Sequence, residues 1–164
     1  MSFEIERKFL VKNNGWKKSI STASIYRQGY LSTDKNTTVR VRTAGEKGFL
    51  TIKGLRTGIK RLEYEYEIPF DEAAQLLDLL CQKPLIEKIR YIVFSNGYKW
   101  EIDVFGKENQ GLVIAEIELP DEETVIVLPE WTGPEVSEDS RYSNSSLVKN
   151  PYSKFHDKKM SIEE

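Results

Sequence analysis

Near the start of the chain Glu4, Glu6 and Lys8 occupy every second position. In an extended strand alternate side chains share a face, so these three project together, with roughly 7 Å between successive members, twice the strand rise. Ile5 and Phe9 project the other way, with Arg7 the one charged residue among them. Two carboxylates in a row suit a hard divalent cation, and an ammonium beside them suits a phosphate oxygen. The same alternation returns downstream: Arg40 and Arg42; Lys53; Arg61, Glu63, Glu65 and Glu67; Lys88 and Arg90; Glu101 and Asp103; Glu116 and Glu118. The opposite parity is apolar, as in Leu50/Ile52, Ile89/Tyr91, Trp100/Ile102 and Ala115/Ile117. Ordinary solvent faces mix Thr, Ser, Gln and Lys, whereas this one is dominated by ionisable groups and rich in arginine, the side chain best shaped for phosphate oxygens.

These residues need strands to hold them. The patterns predict strands over 3–11, 24–32, 37–43, 49–55, 59–69, 85–95, 98–105 and 112–119, with a short edge strand over 124–128 stopped by Pro129. Asn96-Gly97 is the strongest hairpin signal. Between 70 and 82 the period changes to that of a helix, with Asp71 and Glu72 in its first turn and Cys81 as one of its small apolar residues. A short helix is expected at 144–149, capped by Ser143 or Asn144. The expected class is α+β, mainly antiparallel β.

The 164 residues read as one domain over 1–150, with a polar tail over 151–164 expected to be disordered. Charged residues make up 30 % of the chain, but the net charge is only −2, which argues against a general nucleic-acid binder. No apolar run approaches the length of a membrane helix, and the strand pattern begins at once, leaving no room for a signal peptide. A single cysteine excludes an intramolecular disulfide, so a cytoplasmic location is expected. There is no GxxxxGK[ST] loop, and the lone His156 argues against zinc or Ser-His-Asp chemistry.

About eight strands closed on themselves enclose room for side chains or one small ligand. If the charged faces converge there, acidic and basic walls are stabilised by holding a cation and an anion together, as a polyphosphate with Mg²⁺ or Mn²⁺ would supply. The apolar outer faces then need covers, from the 70–82 helix and from a second subunit in a homodimer.

Glu4-Ile5-Glu6-Arg7-Lys8, followed in order by Arg40/Arg42, Lys53, Glu63/Glu65, Lys88/Arg90, Asp103 and Glu116/Glu118, resembles the ExExK signature and downstream pairs of the CYTH superfamily of triphosphate tunnel metalloenzymes. The resemblance spans about residues 3–150 and implies an eight-stranded antiparallel barrel forming a tunnel. It assigns phosphate binding to Lys8, Arg40, Arg42, Lys53, Arg61, Lys88 and Arg90. Metal falls to Glu4, Glu6, Glu116 and Glu118, with Glu63, Glu65 and Asp103 assisting, and two ions are implied when substrate is bound. A strand-two tyrosine paired with Lys53 is implied as well; Tyr30 fits, and Tyr26 is the other candidate. Lys53, Tyr30, Glu4 and Glu118 are thus the catalytic candidates. The opening residues and the Ser/Asn-rich C-terminal segment are similar to a small bacterial branch that hydrolyses inorganic tripolyphosphate, where a C-terminal helix closes one tunnel mouth; here that helix is 144–149. The competing expectations are a class IV adenylate cyclase, which needs an adenine pocket, and a non-catalytic polyphosphate or nucleotide binder.

Overall fold

The computed structural model describes residues 2–156. Nine antiparallel strands are present among them: β1 (Phe3–Val11), β2 (Ile20–Asp34), β3 (Thr37–Ala44), β4 (Lys47–Gly54), β5 (Lys60–Ile68), β6 (Ile86–Ser95), β7 (Tyr98–Phe105), β8 (Val113–Glu118) and β9 (Thr132–Glu135). Two α-helices accompany them, α1 (Phe70–Leu79) and α2 (Asn144–Lys149). The first eight strands run β5-β4-β3-β2-β6-β7-β8-β1, and pairing of β1 with β5 closes the ring. The expected eight-stranded barrel with few flanking helices is what forms.

Closure divides the outer edge of β1. Residues 3–5 pair with β5, whereas Phe9 and Val11 pair with β9. β9 was not anticipated, because its sequence, Thr-Gly-Pro-Glu, carries no strand signal. Its proline is tolerated because β9 lies at an edge, where one side of its ladder needs no donor. Conversely, the edge strand expected over 124–128 does not form. Val125 and Val127 are 87 % and 71 % exposed, and no ladder recruits the segment, whose β-branched residues alone do not hold a strand.

The barrel is inverted relative to most small barrels: its apolar cores lie outside the wall. One packs Phe9, Trp16, Trp100, Ile102, Ile117 and Trp131 against the outer faces of β1, β7 and β8. Trp100 meets Phe9 and Trp131 edge to face, at 5.8 and 5.3 Å between ring centroids, and such pairs are worth about 0.5–1.5 kcal/mol beyond their area. A second sets Ala73 and Leu77 of α1 against Val41, with Leu50 and Ile68 at its margin. α1 stops at Leu79, three residues short of the expected end, where the N–H groups of Leu80 and Cys81 both turn back to the Leu76 carbonyl. Cys81 therefore sits just past the helix, buried against the backbone at Gly29, where an added Cβ would lie 2.8 Å from that of Cys81.

A third core gathers Leu10, Ile86, Phe105, Tyr142, Leu147 and Tyr152. It extends past residue 150. Pro151 and Tyr152 are buried, Tyr152 donates its N–H to Asn109 Oδ1 at 2.9 Å, and Phe155 packs edge to face on Tyr142 and Tyr152. Two aromatic rings within a polar segment suffice to hold it down. The remainder of the expected tail, 157–164, lies outside the described residues. No helix among the described residues is long and apolar enough to cross a membrane.

Candidate active site

Because the side-chain period of a strand is two, one register fixes every charged residue on a single face. In this register that face is the lumen. A cavity of about 230 Å³ runs through the barrel, lined among others by Glu4, Glu6, Lys8, Tyr30, Arg40, Arg42, Lys53, Arg61, Glu63, Glu65, Lys88, Arg90, Glu116 and Glu118. Every candidate named from the sequence lines it except Asp103 and the alternative tyrosine, Tyr26. Eight basic and seven acidic side chains share the lining. An anion alone would therefore leave the acids uncompensated, and a cation alone would leave the bases so.

The bases cluster. Arg42 is buried beside Arg40 and Arg90, and burial, followed by those two like charges, pushes its pKa down to about 10. The Nε–H groups of Arg40 and Arg42 are buried and have no hydrogen-bond partner among the described residues. Orphaned donors of this kind are costly unless a ligand completes them. Tyr26 does not line the cavity. Its ring lies 4.8 Å from both the Arg42 and Arg90 guanidinium carbons and fixes their planes. Tyr30 is the tyrosine that reaches the lining.

Asp103 is fully buried behind this cluster rather than facing the lumen. Arg90 grips it through both nitrogens, Nε at 2.7 Å and Nη2 at 2.9 Å, and Lys88 Nζ lies 2.8 Å away. Burial alone would raise its pKa, but the two cations outweigh burial and hold it well below the usual carboxylate range. Its position makes it an anchor for two cations rather than an open ligand. Lys88 also donates to Asn144 Oδ1 at 3.0 Å, an oxygen that accepts in addition from Gln28 Nε2 at 2.9 Å. Ser143, Asn144 and Ser145 line the α2 end of the lumen, and the Ser143 side chain caps α2 by accepting from the Ser146 N–H.

The acids divide into two groups. Most are held by bases: Glu4 takes Lys53 at 2.9 Å, Glu65 contacts Arg40 and Arg42 at 3.4 and 3.5 Å, and Glu101 takes Arg90 at 2.7 Å. Lys53 also reaches Glu63 at 3.3 Å, and Lys8 lies between Glu6 at 3.7 Å and Glu116 at 3.8 Å. Glu118 is different. It stands directly across from Glu6 in the β1–β8 ladder and pairs with no cation among the described residues. Burial, then Glu4, Glu101 and Glu6, raise its pKa. Like charges placed opposite one another destabilise a sheet, and a hard dication relieves that repulsion with oxygen donors already in place. The donor set at Glu4, Glu6 and Glu118 thus fits a divalent ion, although no group of three carboxylates among the described residues is already drawn together around a common point. The acids other than Glu118 are satisfied largely by bases.

Asn144, Gln28, Lys99 and Thr38 were missed from the sequence. Lys99 shares strand parity with Glu101 and Asp103, so that signal was readable; Asn144 reaches the lumen only through the packing of α2.

Three comparisons bear on this arrangement. The CYTH domain family model matches residues 2–152. An inorganic triphosphatase of Acetivibrio thermocellus is 56 % identical over 155 residues, spanning 94 % of this chain and 99 % of that protein. An inorganic triphosphatase of Nitrosomonas europaea is 35 % identical over 149 residues, spanning 88 % and 96 %. Among solved structures, that of an inorganic triphosphatase superimposes with a TM-score of 0.65 at 33 % identity, over 90 % of this chain and 95 % of that one.

Proposed function

Since the chain belongs to the CYTH domain family, and its lumen sets orphaned guanidinium donors beside two carboxylates that face each other, Glu6 and Glu118, we propose that it is a divalent-metal-dependent triphosphatase acting on inorganic tripolyphosphate. The observation that carries this reading is the coexistence, in one lumen, of Arg40 and Arg42, whose buried Nε–H donors are unfilled among the described residues, and of Glu6 facing Glu118. A triphosphate supplies the oxygens the first group lacks, and its metal supplies the charge the second lacks.

In the reaction a water oxygen attacks the terminal phosphorus, the phosphoanhydride bond breaks, and orthophosphate and diphosphate result. Arg40, Arg42, Lys88 and Arg90 bind phosphate oxygens and take up the charge that spreads over them in the transition state. Lys8, Lys53 and Arg61 hold the rest of the chain, and Tyr30 completes the wall near Arg40, its partner across the β2–β3 ladder. Tyr30 and Lys53 share the lining without being hydrogen-bonded to each other, so their pairing belongs to the substrate complex. Glu118, on the acidic wall of the lumen, accepts the proton of the attacking water. Glu4, Glu6, Glu116 and Glu118, helped by Glu63 and Glu65, would hold Mg²⁺ or Mn²⁺, two ions with substrate bound, which would supply Lewis acidity toward phosphate oxygens and water. Asp103 anchors Lys88 and Arg90.

The lumen lining contains one aromatic ring, that of Tyr30, and no apolar slot, which disfavours an adenine-binding cyclase. A panel of tripolyphosphate, thiamine triphosphate and nucleoside triphosphates with Mn²⁺ tests the assignment. Orthophosphate release fastest from tripolyphosphate is expected; cyclic AMP from ATP, or tight binding without turnover, refutes it. The same reading includes a cytoplasmic location and a homodimer covering the exposed cross-strand pair Ile25 and Ile89, and the mass in solution checks the latter.

Two further outcomes follow. Arg42→Ala removes a binding cation, so KM for tripolyphosphate rises about 10- to 100-fold, from a charged hydrogen bond worth roughly 1.5–3 kcal/mol, with a smaller change in kcat; an unmoved KM places Arg42 outside substrate contact. The pH dependence has a definite sign. Burial pushes the Lys88 ammonium down to about 8, and the free enzyme binds phosphate through its protonated form. On this basis kcat/KM falls as pH rises through about 8, and Lys88→Arg, whose charge persists, removes that limb.

A further inference from the structure

The lumen does not end at the barrel wall. A second cavity, of about 440 Å³, shares Lys8, Thr38, Arg61, Ser143 and Ser145 with it, so the two adjoin. Its outer walls are the tips of the β2–β3 and β4–β5 hairpins on one side and the segment from Val136 to Lys149 on the other. Nothing in the triphosphate chemistry above requires this chamber, and none of the candidates named from the sequence lies in it alone.

Its charge is not balanced as the lumen's is. Arg56 donates from Nε to the Gly58 carbonyl at 2.7 Å and from Nη2 to the Glu6 carbonyl at 3.3 Å. Arg61 is held in the same way, through the Gly54 carbonyl at 3.1 and 2.9 Å and the Thr38 hydroxyl at 3.3 Å. Backbone oxygens thus position both guanidiniums and neutralise neither. Beyond the cost of burial, Arg56 opposes the charges of Lys8 and Arg61, which Glu4 and Glu6 in the lumen favour, so three cations meet at the junction between lumen and chamber with those carboxylates on the lumen side only. Lys35 and Lys149 add two more from the rim, without a carboxylate partner among the described residues. Ser143, Ser145 and Ser146 line the same chamber. Of the two acids at the edge, Asp139 is engaged by Arg141 at 2.8 Å, and Glu138 is exposed. No aromatic ring lines the chamber, so it offers nothing on which a nucleobase would stack.

We infer that this outer chamber is a second phosphate site, in which Arg56, Lys35 and Lys149 hold one phosphoryl group beyond the triphosphate in the lumen. The inference rests on the triphosphate reading of the lumen. Two sources share the required chemistry: orthophosphate on its way out, and the fourth phosphoryl group of a longer linear phosphate.

The decisive measurement avoids turnover. Protein saturated with tripolyphosphate in metal-free EDTA buffer is titrated with inorganic orthophosphate and followed by ³¹P line broadening. Saturable broadening is expected for the unaltered chain, weakened about fivefold or more in Arg56→Gln, as loss of a charged hydrogen-bond donor implies. A sharp, unperturbed orthophosphate line in the unaltered protein, or equal broadening in Arg56→Gln, overturns the site. Arg56-dependent binding in a protein that hydrolyses no triphosphate refutes the proposed activity and leaves the chamber standing. Kinetics then separate the sources, with kcat on tripolyphosphate within about twofold in both proteins. If Arg56→Gln raises KM for linear tetraphosphate about fivefold more than for tripolyphosphate, the fourth phosphoryl group occupies the chamber. If it instead removes orthophosphate inhibition that saturating tripolyphosphate does not relieve, the product does.

Discussion

Glu6→Ala is expected to lower kcat for tripolyphosphate by about 10²–10³-fold while leaving the melting temperature unchanged or raised. The two halves of this result have separate origins. Glu6 supplies one of the oxygens that the divalent ion needs, and preorganised charge of this kind accounts for factors of about that size in mutational work. Its carboxylate makes no core contact. It faces Glu118 across the ladder, and its one cation, Lys8, lies at a loose 3.7 Å and is shared with Glu116. Removing it relieves repulsion with Glu118 at little cost elsewhere. A full kinetic titration with Mn²⁺, alongside a thermal melt, checks both halves. Undiminished kcat would exclude Glu6 from the metal site, and a large fall in melting temperature would assign it a structural role.

Asp103→Ala has the opposite profile, with stability lost first and activity lost as a consequence. The substitution leaves Lys88 and Arg90, both nearly inaccessible, without their shared anion. Breaking a buried ion pair from one side costs about 3–5 kcal/mol, because the surviving charge stays buried. At roughly 2–4 °C per kcal/mol for a chain of this size, the melting temperature falls by about 10 °C. The pH dependence has a sign as well. A carboxylate held below its unfolded value contributes stability that is present above the unfolded pKa, near 4, and that is lost as pH falls through the folded one. The gap between wild type and Asp103→Ala is therefore full at neutral pH and narrows in acid. Equal melting temperatures at pH 7 would show that Arg90 and Lys88 find other partners, Glu101, Glu116 and Asn144 being the nearest.

Much of this molecule was legible as alternation. The bounds of β1 and β7 match their sequence patterns, and the turn at Asn96-Gly97 sits where the dipeptide places it, with both residues at positive φ. Misreadings fell where a segment's fate depends on a neighbour. Thr124–Leu128 has the composition of a strand but meets no edge, whereas Thr132–Glu135 lacks that composition and is recruited by the free edge of β1. Cys81 fell outside α1 because the helix ends where its apolar face runs out of barrel to cover. Asp103 has the parity of a lumen residue, yet Arg90 and Lys88 close over it. Arg56, in a hairpin tip, belongs to no alternating pattern.

A period of two, kept in seven strands, requires only local sterics, because successive side chains of an extended backbone point to opposite faces whatever surrounds them. Two-faced strands and the list of charged residues that share a face were therefore inherent in the order of amino acids. Which charges would meet one another depended on closure of β5 onto β1 and on the ladder registers, since these set Glu6 against Glu118, fold Asp103 beneath its cations, and bring Asn144 from the far end of the chain to Lys88. Coulomb energy varies with distance, and the distances between strands become defined only when the barrel shuts.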